Sequence, residues 1–390
     1  MLVILSSLSG KQNVESGIRA SFLAESSQTN KARSSSGRVG YRKIAREHDG
    51  VREPTEMNLP KADELDYIHF LIAAQKIFTC TEAARCQPNP LDPPAHDAFT
   101  RLLTREPPDT EALWEEAKTL VEPEHGLLVV DDTTLDKPYS RKIELVHRHW
   151  SGKHRRVVNG INLTTLLWSK AQALVPTDFR VYDKPGDGLT KNEHFRVMLK
   201  QAKERGFEPR YVLFDSWYSS LDNLKAIRSY GWHWLCRLKS NRLVNPDSKS
   251  GNVAIGEVEI PAEGRIVHLK AYGMVRVFRT VARDGDAEQH YWATDDFEMS
   301  ESERKELEGA GWGIETYHRA LKQCCGIEKA QARGAQAQRN HLGLALRAFL
   351  RLEANRLENG ASWHEAKISI IRDAVRRYLA EPLYLLSPTA

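Results

Sequence analysis

Two apolar runs in this sequence end in aspartate, and a third acid lies in a later segment with the spacing of a helix. Residues 127–130 (LLVV) lead into two consecutive aspartates, the second of which is Asp132, and residues 211–214 (YVLF) lead into Asp215. The later acid is Glu315. A continuous apolar run is typical of a buried strand, so these runs place carboxylates at strand ends. Carboxylates that converge repel one another unless a hard cation such as Mg²⁺ binds between them.

Two such cations would give the carboxylates a specific chemistry. At a separation of roughly 3.5–4 Å, a pair of Mg²⁺ ions can activate a water molecule and stabilise the leaving oxygen of a phosphodiester. Of the neighbours Asp131 and Asp132, only one is expected to point at the metal, because adjacent side chains of a strand lie on opposite faces. This chemistry needs no separate general base, although His318 lies close to Glu315 in the sequence.

The elements that must position these acids form an α/β pattern. Apolar runs predict strands at 127–132, 143–150, 157–168, 211–215 and 232–238, and helical spacing predicts helices at 191–205 and 219–230. The order β-β-β-α-β-α-β indicates a mixed sheet flanked by helices. Short alternating apolar runs at 239–296 predict a β-rich insertion. Further helices are predicted at 302–324, with a break at 309–313, and at 339–357 and 363–380.

The first part of the chain differs from the rest in composition and in the spacing of its apolar residues. Residues 1–56 are rich in serine, carry a basic stretch and lack periodicity, so we expect disorder there and regard Met57 as a candidate translation start. Helical spacing then predicts four short helices, at 63–78, from 81, at 95–104 and at 109–121. This pattern is compatible with a helix-turn-helix whose exposed recognition face includes Arg101, and equally with an ordinary helical bundle.

Composition excludes several classes of protein. No apolar run approaches the roughly 18 residues of a membrane span, and the opening residues lack the basic flank of a signal peptide, which favours the cytoplasm. The five cysteines form no CxxC pair, so reduced thiols are expected rather than disulfides or a zinc site. A net charge of only +4 means that any nucleic-acid binding must depend on local basic patches.

Three motifs together resemble a known family. They are VVDDTT at 129–134, VLFDSWY at 212–218 and WGIE at 312–315, the last followed by Lys322. Over residues 63–357 the chain is similar to the DDE cut-and-paste transposases of bacterial insertion sequences, in the group that carries a Tyr-Arg-Glu-Lys signature. In that family the first acid directly precedes threonine, which implies Asp132, with Asp131 as the alternative. The other two acids would be Asp215 and Glu315.

The resemblance implies a fold, a reaction and partners. The fold would be a ribonuclease-H-like catalytic core, in which Asp132, Asp215 and Glu315 hold two Mg²⁺ ions that Mn²⁺ could replace. Water would cut the phosphodiester at the element's end, and the freed 3′-hydroxyl would attack target DNA directly or through a hairpin. The N-terminal helices would bind double-stranded DNA at terminal inverted repeats, and a homodimer would pair two ends. DNA contacts would come from Lys322, Arg319, Trp312 and Arg101, with a flipped base stacking on Trp312.

One departure from the family keeps two other functions open. Glu308 and Gly311 occupy the positions of the signature tyrosine and arginine, whereas Lys322 fits the signature. A catalytically degenerate or domesticated DNA-binding protein is therefore one alternative, and a metal-dependent nuclease or phosphoesterase on the same fold is another.

Two groups of basic residues could also contact DNA. The dense cluster at 147–156 and the arginines at 347, 351 and 356 are equally compatible with DNA contact and with solvated surface. The proposed plan is a disordered extension (1–56), a helical DNA-binding region (57–122), the first part of the catalytic core (123–238), the β-rich insertion (239–299), the closing helices of the core (300–358) and a C-terminal helical region (359–390).

Overall fold

A computed structural model describes residues 60–89, 91–151, 154–281 and 289–384. All of these belong to one compact unit of the chain. The disorder expected for 1–56, the candidate start at Met57, and Lys153 of the basic cluster lie outside the described residues.

Within the described ranges, eleven strands form one mixed sheet. They are β1 (Leu127–Asp136), β2 (His147–Ser151), β3 (Arg156–Lys170), β4 (Ala173–Val181), β5 (Tyr211–Phe214), β6 (His233–Leu238), β7 (Leu243–Asn245), β8 (Val253–Ala254), β9 (Arg265–Leu269), β10 (Gly273–Val281) and β11 (Gln289–Thr294). Their order is β2-β3-β1-β5-β6-β11-β10-β9-β7-β8, and β4 pairs with β3.

The centre of the sheet combines parallel and antiparallel pairs. Strand β1 runs antiparallel to β3 and parallel to β5, and β5 runs parallel to β6. Strands β1 and β5 are almost fully apolar where they pair, as expected for strands covered on both faces. This mixed sheet flanked by helices confirms the predicted α/β, ribonuclease-H-like class. The insertion continues the same sheet, because β11 pairs with β6.

Helices surround the sheet. They are α1 (Glu64–Ala73), α2 (Cys80–Arg85), α3 (His96–Arg105), α4 (Glu111–Ala117), α5 (Lys184–Asp187), α6 (Lys191–Glu204), α7 (Leu221–Ser229), α8 (Glu301–Gly311), α9 (Gly313–Cys324), α10 (Ala335–Asn359) and α11 (Trp363–Ala380). Helices α1, α3 and α4 pack against α10, while α9 packs against β1 and β4. Residues 86–95 separate α2 from α3, a longer connection than the roughly three or four residues of a helix-turn-helix.

Three local predictions were wrong in their extent. The helix predicted for 63–78 ends at Ala73, since the next residue, Ala74, is extended; the ammonium group of Lys367 binds the carbonyls of Ile72 (3.0 Å) and Ala74 (2.7 Å) at this end. The strand predicted from 143 begins only at His147, since the preceding residues form a turn. The helix predicted for 109–121 ends at Ala117 and continues as a short 3₁₀ turn, Lys118–Leu120.

Strand β4 was missed altogether. Pro176 and the buried Asp178 interrupt its apolar pattern, and proline usually argues against a strand. The strand tolerates Pro176 because β4 pairs only with β3, so one side of it needs no hydrogen bonds, and because the pairing shifts register next to Leu167, the partner of Pro176.

Candidate active site

A cavity of about 1450 Å³ opens where β1, β5 and β6 end. The three acids predicted from the sequence, Asp132, Asp215 and Glu315, all line it, as does Asp131. Val130 pairs with Phe214 in the parallel ladder, so Asp131 is the residue of β1 that lies next to Asp215 after β5 ends. The expected strand end at Asp132 was wrong, because β1 continues to Asp136 through its pairing with β3, and both Asp131 and Asp132 lie within the strand. Carboxyl ends of parallel strands are a common place for ligand sites in α/β proteins.

Asp132 is surrounded by hydrogen-bond donors. Its carboxylate accepts from Asn162 Nδ2 (2.5 Å), from Lys191 Nζ (2.9 Å) and from the hydroxyl of Tyr218 (2.9 Å). Burial alone would raise the pKa of Asp132, but the charge of Lys191 and these hydrogen bonds outweigh it and lower the pKa. Asp132 is therefore a stable anion in this structure.

Asp131 has the opposite environment. Burial raises the pKa of its carboxyl well above the usual range, and negative neighbours add to the rise. These neighbours are Asp132, Asp215 and Glu315. The structure therefore brings both members of the Asp131–Asp132 pair to the cavity, one neutralised by a lysine and the other crowded by carboxylates. The assignment of the first acid to Asp132 stays a prediction.

Asp215 is fixed by its own loop. Its Oδ1 accepts the backbone N–H of Trp217 at 2.9 Å, which holds the side chain at the end of β5. Burial, followed by the charge of Asp132, raises the pKa of Asp215. Unfavourable ionisation of neighbouring carboxylates is what a bound cation relieves, and carboxylate oxygens are ligands that Mg²⁺ prefers. The chemistry of these donors fits a divalent cation, although no three His, Cys, Asp or Glu side chains of the described residues are grouped closely enough to hold one as placed.

Glu315 comes from the first turn of α9. The helix is anchored by the buried side chains of Ile314 and Tyr317, which leaves Glu315 exposed to the cavity. Trp312 precedes the helix, lines the same cavity and is 63% exposed. His318 is buried, and burial followed by the charge of Lys322 lowers its pKa to about 3, so it is neutral at physiological pH.

The four predicted DNA-contact residues are placed differently. Trp312 and Lys322 line the cavity, but Lys322 already donates to the carbonyl of Thr134 (2.8 Å) and pairs with Glu328 (3.2 Å). Arg319 is exposed on α9 and is not among the residues that line the cavity. Arg101 lies on the exposed face of α3, away from the cavity lining, and pairs with Asp97 at 2.7 Å.

The two groups of basic residues predicted from the sequence lie in different places. His147, Arg148 and His149 of β2 line the cavity. The arginines of α10 instead form internal ion pairs: Arg347 and Arg351 both bind Glu116 of α4 at 2.7 Å, and Arg356 binds the buried Glu353. Arg347 and Arg351 thus connect α10 to α4, and the pair of Arg356 with Glu353 lies within α10, so the three side chains do not form a free basic stripe.

The positions that depart from the family signature lie at the cavity. Glu308 accepts from Arg304 at 2.7 Å, and its other oxygen is 3.9 Å from Arg237 of β6, which lines the cavity. Gly311 also lines the cavity, and a Cβ there would meet only Leu213, at an ordinary contact distance of 3.5 Å. A side chain at this position is therefore sterically possible.

Several residues around the acids were missed from the sequence. They are Asn162, Lys191, Trp217, Tyr218 and Arg237. Trp217 and Tyr218 could have been found, because they follow Asp215 within the same motif. Lys191 carried no local signal, since it belongs to a helix distant in sequence from Asp132.

Two further features are the lengths of the helices and the state of the cysteines, in the part of the chain that the structure describes. Their helices are all too short or too polar to span a lipid bilayer. The five cysteines are free thiols.

Comparison with known proteins gives one family. The family model described as Transposase DDE domain matches residues 122–351. No curated protein matches the chain significantly. Among solved structures, the piggyBac transposase synaptic complex with hairpin DNA is similar with a TM-score of 0.44 and 11% identity, over 82% of this chain and 73% of that one. The Drosophila P element transposase strand transfer complex is similar with a TM-score of 0.21 and 10% identity, over 72% and 57%.

Proposed function

The chain belongs to the Transposase DDE domain family, and from this membership we propose that it cuts and joins DNA at the ends of a bacterial insertion sequence of the Tyr-Arg-Glu-Lys group. The observation that carries the proposal is the cluster of acids on β1 and directly after β5, together with Glu315 of α9, in the lining of one large cavity. The substrate is double-stranded DNA with terminal inverted repeats, and the protein acts in the cytoplasm.

The catalytic residues proposed are Asp132, Asp215 and Glu315, which hold two Mg²⁺ ions. When bound, such ions neutralise the phosphate, activate water and stabilise the leaving oxygen. The protein's own contribution is orientation. Lys191 fixes the carboxylate of Asp132, and the N–H of Trp217 fixes that of Asp215. Once the end is cut, its 3′-hydroxyl attacks target DNA directly or through a hairpin.

The remaining contacts are assigned to DNA. Trp312 stacks on a base displaced at the cleaved end, and Lys322 and Arg319 contact phosphates near Glu315. The helical region 57–122, including Arg101, recognises the inverted repeats. Two copies of the chain pair the two ends before cutting. The proposed domain plan, with a core divided by a β-rich insertion, assigns these roles to separate regions of the chain.

The test is cleavage of a linear DNA that carries the gene with its natural flanks, in the presence of Mg²⁺. We expect the full chain to cut at both element ends, and Glu315→Ala and Asp215→Ala to bind the ends without cutting. Glu306→Ala is the matched control, because Glu306 is exposed on α8 and does not line the cavity. Normal cutting by Glu315→Ala would refute the assignment of the third acid.

The first acid is decided in the same assay. If Asp132 is the ligand, Asp132→Asn abolishes cutting, whereas Asp131→Asn retains it at a reduced rate. The reverse result would move the assignment to Asp131, whose pKa is raised by burial and by the charges of Asp132, Asp215 and Glu315.

A second candidate function is a transposase-derived DNA-binding protein without activity. Glu308 and Gly311 favour it, because they replace a tyrosine and an arginine of the family signature. Binding of the flanks by the wild-type chain without any cutting would support this candidate over the first.

A further inference from the structure

Trp217 is an exposed aromatic side chain at the floor of the candidate active site. It lines the cavity and is 55% exposed. The ammonium groups of two lysines lie over its ring, Lys191 at 5.5 Å and Lys239 at 5.7 Å from the ring centroid. Single exposed apolar side chains are ordinary on protein surfaces. A tryptophan flanked by two ammonium groups next to a cluster of acids is a more specific arrangement.

The backbone of Trp217 is held in place by the site itself. The N–H of Trp217 binds Asp215, and the next residue, Tyr218, is fully buried and donates to Asp132. Lys239 follows directly after β6, and β6 lies parallel to β5, so both strands end at the same edge of the sheet. Trp217 therefore keeps a fixed position relative to both aspartates.

The two lysines differ in what else they bind. Lys191 is committed to Asp132, at 2.9 Å, and also lies 5.8 Å from the ring of Tyr182. Lys239 is exposed and forms no ion pair within the described ranges. An anion that approaches the ring would therefore find Lys239 available, while Lys191 keeps the ring and the acid together.

This combination matches one class of ligand. Sites for single-stranded nucleic acid combine aromatic rings, on which bases stack, with cationic groups that contact the backbone. A base inside a duplex cannot stack on a side chain, because its two faces are covered by neighbouring bases. We propose that Trp217 is the stacking platform for an unpaired base of the DNA strand in the cavity, and that Lys239 binds the phosphate of that nucleotide.

This subsite is separate from the one proposed for Trp312. Among the described residues, no ammonium or guanidinium group lies over the ring of Trp312 or of Trp150, which is 67% exposed and lines the same cavity. The inference relies on the proposed function only in taking DNA as the occupant of the cavity. It requires no cutting and no recognition of a particular end.

The test uses a short single-stranded thymidine oligonucleotide with one 2-aminopurine, mixed with the full chain in EDTA. Stacking on tryptophan quenches the fluorescence of the 2-aminopurine. Because base–aromatic stacking contributes roughly 1–3 kcal/mol, Trp217→Ala should weaken affinity about tenfold and abolish most of the quenching. Trp217→Phe should retain most of both, and Trp150→Ala, the matched control, should behave as wild type.

The phosphate contact is tested with a second pair of variants. Lys239→Gln should weaken binding and reduce its dependence on salt, whereas Lys225→Gln, on the exposed face of α7, should change neither. Equal binding and quenching by Trp217→Ala and wild type would overturn the proposal, as would an equal loss with Trp150→Ala.

Failure of this inference is distinguishable from failure of the proposed function. If the wild-type chain cuts element ends but does not quench the single-stranded probe, the stacking subsite is wrong and the transposase stands. If the probe binds through Trp217 but flanking DNA is never cut, the subsite stands and the catalytic proposal fails.

Discussion

His341 lies fully buried between two hydrogen-bond partners that define its protonation state. Its Nε2 lies 3.2 Å from the carbonyl of Ile327, which can only accept, and its Nδ1 lies 3.0 Å from the hydroxyl of Tyr67. The neutral ring therefore donates from Nε2 and accepts from Tyr67 at Nδ1. Burial, followed by the charge of Lys137, lowers the pKa of His341 to about 4.

This lowered pKa predicts loss of stability in mild acid. Between about pH 6.5 and 4 the unfolded chain binds a proton at this position that the folded chain does not, so the free energy of unfolding falls as the pH falls. At about 1.4 kcal/mol per pK unit, the loss at His341 is roughly 2 kcal/mol between pH 7 and pH 5. Urea unfolding at the two pH values measures it.

The control for this prediction is His341→Gln, which removes the titrating group. Its own loss of stability between pH 7 and pH 5 should be smaller than that of the wild type by about 2 kcal/mol. Burial also lowers the pKa of His149 to about 4 and that of His318 to about 3, while burial raises that of Asp178 to about 6 and opposes them. These three groups titrate in both proteins, so they cancel in the comparison. Identical pH profiles would contradict the prediction.

The acids of the candidate site were easier to predict from the sequence than the residues that bind them. Asp132 and Asp215 were predictable, because an apolar run that ends in a carboxylate has a local signature. Lys191 was not, because its contact with Asp132 joins residues far apart in the chain, and helical spacing says nothing about what the first residue of α6 will meet. The chemistry of the site was visible in the sequence, whereas its electrostatic balance was not.

Lys367 connects three helices. This nearly buried side chain of α11 donates to the carbonyls of Ile72, Ala74 and Cys324, which close the ends of α1 and α9. Carbonyls at helix ends lack partners within the helix and need others. Lys367→Met should lower the free energy of unfolding by roughly 2–4 kcal/mol, because buried carbonyls would lose their donor.

Lys305→Met is the matched control for this prediction, since Lys305 is exposed on α8. Its effect should stay within about 0.5 kcal/mol, as is usual for surface substitutions. Chemical denaturation of both variants measures the difference, and similar stabilities for the two would show that Lys367 does not hold the helices together.

Gly326 ends α9 in a conformation that other residues avoid. Its φ is +62°, and a Cβ there would overlap the ring of Phe78. Gly206, after α6, has a φ of +83° but open space around it. Gly206→Ala should therefore cost about 1 kcal/mol, from backbone strain alone, and Gly326→Ala roughly 3 kcal/mol or more. Equal losses in thermal or chemical unfolding would show that Phe78 moves freely.

The elements themselves were predictable to the extent that their pattern was local. Helix α11 and strand β5 match the prediction almost residue for residue, because their spacing and flanking signals are clear. Strand β4 was lost, since an edge position and a shift of register made Pro176 acceptable, and neither is visible in one strand's sequence. The carbonyl at the early end of α1 is bound by a lysine almost three hundred residues later, a partner that local spacing cannot predict.

For the molecule as a whole, the cavity has nearly balanced charges. Its lining includes the carboxylates of Asp131, Asp132, Asp136, Asp215, Glu308 and Glu315, and the basic groups of Arg148, Lys184, Lys191, Arg237 and Lys322. Without divalent ions the carboxylates weaken the binding of a phosphate backbone in this cavity, although the chain carries a net charge of +4. DNA binding should therefore improve when one cavity carboxylate is neutralised.

This charge balance predicts that Asp215→Asn strengthens DNA binding in EDTA but abolishes cutting in Mg²⁺. In EDTA, Asp215→Asn should bind element-end DNA a few-fold more tightly than wild type, because one repulsive charge of order 1 kcal/mol is removed. In Mg²⁺ the same variant should not cut. Fluorescence anisotropy at constant ionic strength measures the affinity, with Glu306→Gln as a control outside the cavity. Weaker binding by Asp215→Asn in EDTA would contradict this view of the cavity.

The pairing of β11 with β6 also governs when the site can exist during synthesis. Strands β1 and β5 emerge from the ribosome long before α8 and α9, and the chain between them must first complete β7 to β11 and return to the central strands. The wall of the cavity that carries Glu315 is therefore the last to be made. A nascent chain that has not yet reached α9 holds the aspartates without this wall, so the complete group of acids exists only after α9 has been synthesised.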